Sequence, residues 1–274
     1  MLIFLSSYFL NALEKILLFK NTIFFCHSRC SLHHGSCLVP PLRTILASDL
    51  YLYSMQKYLP GIIFFLYCTT ASAQLPVRNE PRHHNVFENN YVRVLDVFLG
   101  PNDTTLYHLH NTPSVFIIFT KTKVGSQLAG KTPVEGVNLP GEVSYDSLTT
   151  PRLHRVWNED TSWFHVMDVE LTAVHHRSDI PVLKDTFLQL LFSKKEVNGY
   201  SIELKSGNNI QLPASLNGYL VISKDETEIN YTINGSAQYH LMKAGHYIWI
   251  EAGKKFSLSA HSQLPASLVL LQLK

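Results

Sequence analysis

Short apolar stretches closed by turn-forming clusters recur from residue 91 to residue 251, and this punctuation constrains the fold more than any other feature. Tyr91–Phe98, Ser114–Thr120, Trp163–Leu171, Phe187–Phe192, Tyr219–Ser223, Thr227–Ile233 and Tyr247–Glu251 are rich in β-branched and aromatic residues. Such residues suit a pleated, half-buried surface. Between the stretches lie Gly100-Pro101-Asn102-Asp103, Asn111-Thr112-Pro113, Leu139-Pro140-Gly141, Asn158-Glu159-Asp160, Asn198-Gly199, Gly207-Asn208-Asn209 and Asn234-Gly235. These residues favour tight turns and interrupt helices. Helix signals are scarce, so the pattern predicts an all-β sandwich or barrel. It divides near residue 185 into an N-terminal half, 74–185, and a C-terminal half, 186–274. Each half runs through an opening strand, a loop, a central apolar strand, a glycine-containing loop and a closing pair. The segment 184–195 reads equally well as a strand or as a short link.

The first 73 residues read differently. Met55-Gln56-Lys57 precedes an apolar run, Tyr58 to Tyr67, and Ala71-Ser72-Ala73 supplies a small-residue cleavage site before Gln74. That architecture predicts a secretory signal peptide over 55–73 and an exported protein, periplasmic or secreted, cleaved near Ala73. Residues 1–54 are then read as a non-native extension upstream of a start at Met55. Leu2–Leu10 and Ile16–Phe25 are apolar, but Glu14, Lys15, Lys20 and Asn21 break them below the length of a bilayer span. No stable membrane span is expected in the mature chain.

All four cysteines, Cys26, Cys30, Cys37 and Cys68, precede the cleavage site. The mature chain would hold neither a disulfide nor a thiol nucleophile. The three nearest the start interleave with His27, His33 and His34, in spacings that match no standard zinc finger. Of 23 basic and 21 acidic residues, five and two lie before Gln74, leaving 18 and 19 in the mature chain. Near-neutral charge without a basic cluster excludes a nucleic-acid binder.

One constellation suggests chemistry. In His108-Leu109-His110 the two histidines point to the same face of a strand, and His154 follows in His154-Arg155-Val156-Trp157-Asn158. A third imidazole from a distant segment completes a facial set of metal ligands and leaves positions open for substrate. The segment from Gly100 through His108-x-His110 to Gly125, followed by Gly141 and then His154-x-x-x-Asn158, resembles the two motifs of the cupin superfamily. The resemblance covers about residues 86–171, and a degenerate second half extends it to a bicupin.

It implies two tandem double-stranded β-helix (jelly-roll) barrels and a divalent metal held by His108, His110 and His154. Fe(II) is favoured for a redox role, with Zn, Mn or Ni as the other candidates. Ser114 and Phe116 are expected beside the site, with Asn158 bracing a turn. The family's usual glutamate is replaced by Ser114, which leaves three neutral imidazoles and the full charge of the metal, favouring an anionic or chelating substrate.

The function implied is metal-dependent oxidation, of the dioxygenase type, or isomerisation of a small organic substrate. The alternative is a non-catalytic module that binds or stores a sugar or organic acid. Barrels of this family pair through edge strands, which implies a homodimer. His83-His84 reads as a solvated pair, and His165 as an inward neighbour of the site or an ordinary residue. The second half offers no equivalent ligand set.

Overall fold

The computed structural model describes residues 74–177, 179–261 and 265–274. The extension 1–54, with its cysteines and histidines, and the signal peptide 55–73 lie outside the described residues. Among the described residues no helix is long and apolar enough to cross a membrane.

The first half contributes β1 (Leu75–Pro76), β2 (His83–Glu88), β3 (Val92–Leu99), β4 (His108–His110), β5 (Ser114–Ile118), β6 (Thr122–Leu128), β7 (Val134–Asn138), β8 (Val143–Asp146), β9 (Arg152–Asn158) and β10 (Phe164–Leu171). The second contributes β11 (Leu188–Ser193), β12 (Val197–Leu204), β13 (Asn209–Leu212), β14 (Tyr219–Ser223), β15 (Thr227–Ile233), β16 (Ser236–Met242), β17 (Tyr247–Ile250), β18 (Phe256–Ala260) and β19 (Ala266–Leu273). Among the described residues the one helical element is a three-residue 3-10 turn, Val77–Asn79.

Each half closes into two facing sheets, in the order β1-β4-β9-β6-β7 and β2-β3-β10-β5-β8, then β13-β18-β15-β16 and β11-β12-β19-β14-β17. The orders repeat: β11, β12, β19, β14 and β17 stand where β2, β3, β10, β5 and β8 stand in the first half. Likewise β13, β18, β15 and β16 stand where β4, β9, β6 and β7 do.

Three apolar cores follow from this layout. One fills the first barrel with Val77, Leu95, Val97, Leu99, Val124, Phe164 and Val166. A larger one fills the second, around Tyr200, Tyr219, Phe256 and Leu268. The third lies between the barrels, where Val94, Val115, Ile117, Met167 and Val169 meet Leu220, Ile222, Val269 and Leu271. The central strands of both inner sheets are therefore covered on two faces, and every residue of β10 and β14 is buried. This is why they read as apolar runs and not as alternating strands. Tyr145 donates its hydroxyl to Glu196 at 2.6 Å, and Tyr247 donates to the Val86 carbonyl at 2.8 Å, adding polar ties across the seam.

Gly125 has a specific task. It stands opposite Trp157 in the β6–β9 ladder, and a Cβ there would overlap the indole. The ring lies across the strand only because the side chain is missing.

Candidate metal centre

In the β4–β9 ladder His108 stands directly opposite His154, and His110 opposite Arg152. Directly opposed residues share a face, so the register turns His108, His110 and His154 toward the same side. The ring of His154 lies 4.6 Å from that of His108 and 4.9 Å from that of His110, centre to centre. The two-residue spacing of β4 brings the His108 and His110 rings within 4.9 Å.

A fourth imidazole joins them from β2. His83, expected to be solvated, is buried, and its ring lies 4.6 Å from that of His108. Ligand nitrogens of His83, His108 and His110 all lie within 4.8 Å of one another. His83 pairs in register with Val97, an inward residue of β3, and the barrel core captures it. Its neighbour His84 is exposed, as expected of a solvated residue. The one sequence signal for His83 is the preceding acid at Glu80, three residues before.

The second ring nitrogens fix the tautomers. The His108 Nδ1 lies 2.9 Å from the Leu106 carbonyl, which can only accept, so Nδ1 carries the proton and Nε2 presents a lone pair. The His83 Nδ1 lies 2.7 Å from Oε2 of Glu80. Burial pushes the Glu80 carboxyl up, but the His83 bond and the backbone N–H groups of Leu106 and Arg82 outweigh it, and the group stays below its ordinary value. Glu80 is thus an ionised acceptor, and His83 also presents Nε2. Acceptors that orient a ligating imidazole in this way are a recurrent feature of metal sites.

His110 Nδ1 is 3.5 Å from Oδ2 of Asp168, on the inward face of β10. Burial, with Glu170 adding to it, pushes the Asp168 carboxyl up to about 8.

Burial is also the main reason His108 falls to about 4 and His154 to about 3, and it drives His110 well below its ordinary value. Neighbouring imidazoles and Arg152 add to each shift. All three are neutral at pH 7, as ligands must be. The Nε2 atoms of His108, His110 and His154 are buried and have no hydrogen-bond partner among the described residues. Three orphaned lone pairs in one cluster would be costly in a finished polar network. They suit a cation that accepts nitrogen donors, so the donor set fits a divalent metal.

Phe116, Ser114, Asn158 and His165 differ in their surroundings. Phe116 lies on β5 with its ring 6.1 Å from that of His110. Ser114 is buried and donates to the Thr112 carbonyl at 3.3 Å. Asn158 is committed to its turn: its amide donates to the carbonyls of Leu99, Gly100 and Ser162 at 3.1, 3.1 and 2.7 Å, and its oxygen accepts from the Asp160 N–H at 2.8 Å. His165 is not an inward neighbour. It stacks on Phe98 with ring centres 4.0 Å apart, and its Nε2 lies 2.7 Å from Asp96 Oδ1, because odd-numbered residues of β10 face the second barrel.

In the second barrel the β13–β18 ladder sets Leu212 opposite Phe256, where the first barrel sets His108 opposite His154, and pairs Ile210 with Leu258 beside them. All four are core residues.

No protein-family profile and no curated protein matches the chain. Solved structures do. AerE from Microcystis aeruginosa aligns over 71% of this chain and 98% of its own, with a TM-score of 0.50 at 10% identity. A salicylate 1,2-dioxygenase variant from Pseudoaminobacter salicylatoxidans aligns over 72% and 74%, with 0.50 at 11%. A cupin 2 conserved barrel domain protein from Leptotrichia buccalis aligns over 76% and 94%, with 0.47 at 10%. The fold is cupin-like. At such identities the likeness concerns the fold alone, an all-β pair of cupin barrels in tandem, and the chemistry must be argued from the histidine cluster.

Proposed function

We propose that the first cupin barrel binds a divalent metal through His108 and His110, with His83 and His154 as its remaining imidazole ligands, and acts on a small organic substrate. What carries this reading is the set of buried Nε2 atoms that have no partner among the described residues. When bound, the metal supplies a Lewis-acidic centre, redox-active if it is iron, for oxidation or isomerisation. The chain does the rest. Glu80 and the Leu106 carbonyl hold His83 and His108 in the ligating tautomer. Leu95, Val97, Phe164 and Val166 line the barrel with apolar surface and exclude water. Asp168 keeps a proton beside His110 at neutral pH.

The test is metal analysis of the purified protein after reconstitution with Fe(II), Mn, Ni or Zn. One equivalent is expected, lost in His108→Ala and His110→Ala and weakened about 10–100-fold in His83→Ala and His154→Ala. A protein that takes up none of the four metals refutes the centre. The same reading includes export, supported by the basic start at Lys57, the apolar run after it and Ala71-Ser72-Ala73. N-terminal sequencing of the mature protein should begin at Gln74; a chain retaining Met55 would overturn that part.

A further inference from the structure

Arg152 stands beside the cluster with half of its guanidinium uncommitted. It lies opposite His110 across the β4–β9 ladder and two residues before His154, so it shares their face of the sheet. Its Nη1 is held by Oδ2 of Asp146, at the end of β8. Its Nε is buried without a partner, and Nη2 makes no hydrogen bond among the described residues. Nε and Nη2 form one edge of the planar fork, the edge that matches the two oxygens of a carboxylate. Other arginines of this chain use that edge. Arg82 grips Asp103 through Nε and Nη2 at 3.1 and 2.7 Å, and Arg177 grips Asp179 at 3.1 and 2.7 Å. Beneath the Arg152 guanidinium, 5.9 Å away, lies the ring of Phe116, which also meets His110. The Arg152 side chain is 26% exposed, whereas His108 and His110 are closed off, so solvent reaches the arginine but not the imidazoles.

We propose that Arg152 anchors the carboxylate of a small acid bound at the histidine cluster. Nε and Nη2 take the two carboxylate oxygens, and Phe116 takes the apolar body. Because opposed residues of a ladder lie only about 5 Å apart, a carboxylate on Arg152 brings its neighbouring carbon over the His110 side of the cluster. An oxygen on that carbon then reaches the metal, which makes the ligand class 2-hydroxy or 2-oxo acids. Only this last contact rests on the metal reading given above. Asp146 is the positioning residue, fixing Nη1 so that the opposite edge stays free.

The test titrates the full chain, metal-free and zinc-loaded, with lactate and mandelate and with their neutral amides, lactamide and mandelamide. Arginine Nε–H resonances are followed by NMR and affinity by calorimetry. The acids should shift the Arg152 Nε–H signal and the amides should not. Arg152→Lys, which keeps the charge and loses the fork, should bind the acids about tenfold more weakly or worse while keeping its zinc stoichiometry. Failure of both acids to bind overturns the anchor. So does equal binding of acid and amide by the wild-type chain, a comparison independent of how the variant folds, or equal affinity in Arg152→Lys. The two readings fail separately. A chain that takes no metal but whose Arg152 signal answers lactate loses the metal centre and keeps the anchor. A zinc-loaded chain whose lactate affinity ignores Arg152 does the reverse.

Discussion

Lowering the pH from 7 to 5 should destabilise the metal-free protein by about 3 kcal/mol, because the histidine cluster withholds protons that the unfolded chain takes up. His108 sits at about 4 and His154 at about 3, and His110 is well below its ordinary value, in each case chiefly through burial. Unfolded imidazoles titrate near 6.5, so each histidine costs about 1.8 kcal/mol over this interval, roughly 5.5 kcal/mol for the three. These are depressed folded-state values. Their contribution is complete above about 6.5 and is lost as the pH falls toward about 4.

Asp168 has the opposite sign. Its carboxyl is raised to about 8 by burial and by Glu170, so the fold keeps a proton that the unfolded chain releases. Between pH 7 and 5 it returns about 2.6 kcal/mol. The sum does not depend on whether Asp168 or His110 holds that proton, since the pair carries one either way. Near pH 5 unfolding therefore takes up close to two protons, a slope of about 2.5 kcal/mol per pH unit. Urea unfolding of chelator-treated protein at pH 7, 6 and 5, followed by tryptophan fluorescence, measures it. His154→Gln removes one of the two protons and should halve the slope. Stability that is flat from pH 7 to 5, or an unchanged slope in His154→Gln, would refute the neutral-cluster argument.

Glu80→Gln should lower metal affinity about 10–100-fold by releasing His83 from its fixed tautomer; competition with a chelating dye reads this, and unchanged affinity would mean that His83 is no ligand. Gly125→Ala should cost about 2 kcal/mol, since the added methyl displaces the Trp157 indole, and the shift should be visible in both urea midpoint and tryptophan emission. Leu271→Ala opens the core between the barrels and should cost about 2–5 kcal/mol. Both barrels should still unfold together, with calorimetric and van't Hoff enthalpies equal. Two resolved transitions would show that the shared core does not couple them.

The sequence revealed the strands whose faces are both buried, because apolar runs survive any register: Tyr219–Ser223 matches β14, and Trp163–Leu171 differs from β10 by one residue. Thr227–Ile233 matches β15 of an outer sheet, whose buried and exposed residues differ in type. Other strands of the outer sheets were hidden. β7 is Val-Glu-Gly-Val-Asn with four of its five residues exposed, and β9 carries Arg152, His154 and Arg155 on a segment that reads as polar. Of the cluster, His108, His110 and His154 were legible through a two-residue spacing and a motif. His83 was not, because its inward direction depends on pairing with Val97, a contact fixed by tertiary register. Arg152 was passed over for a related reason: only the ladder shows that it faces the same way as His110.

The repeat of strand order makes the second barrel a control for the first. Leu212 and Phe256 stand where His108 and His154 do, and with Ile210 and Leu258 they belong to a continuous apolar core. The same architecture therefore tolerates either filling, and the jelly roll itself does not demand the histidines. Retaining them costs the first barrel apolar contacts and leaves four buried ring nitrogens, together with both oxygens of Asp168, without hydrogen-bond partners among the described residues. Such a cluster weakens the barrel that contains it. The core shared between β10 and β19 offsets that weakness, because opening the first barrel also exposes Leu220, Ile222, Val269 and Leu271 of the second. A solid barrel joined to a polar one by a buried sheet face thus lets the histidine cluster persist without a bound metal.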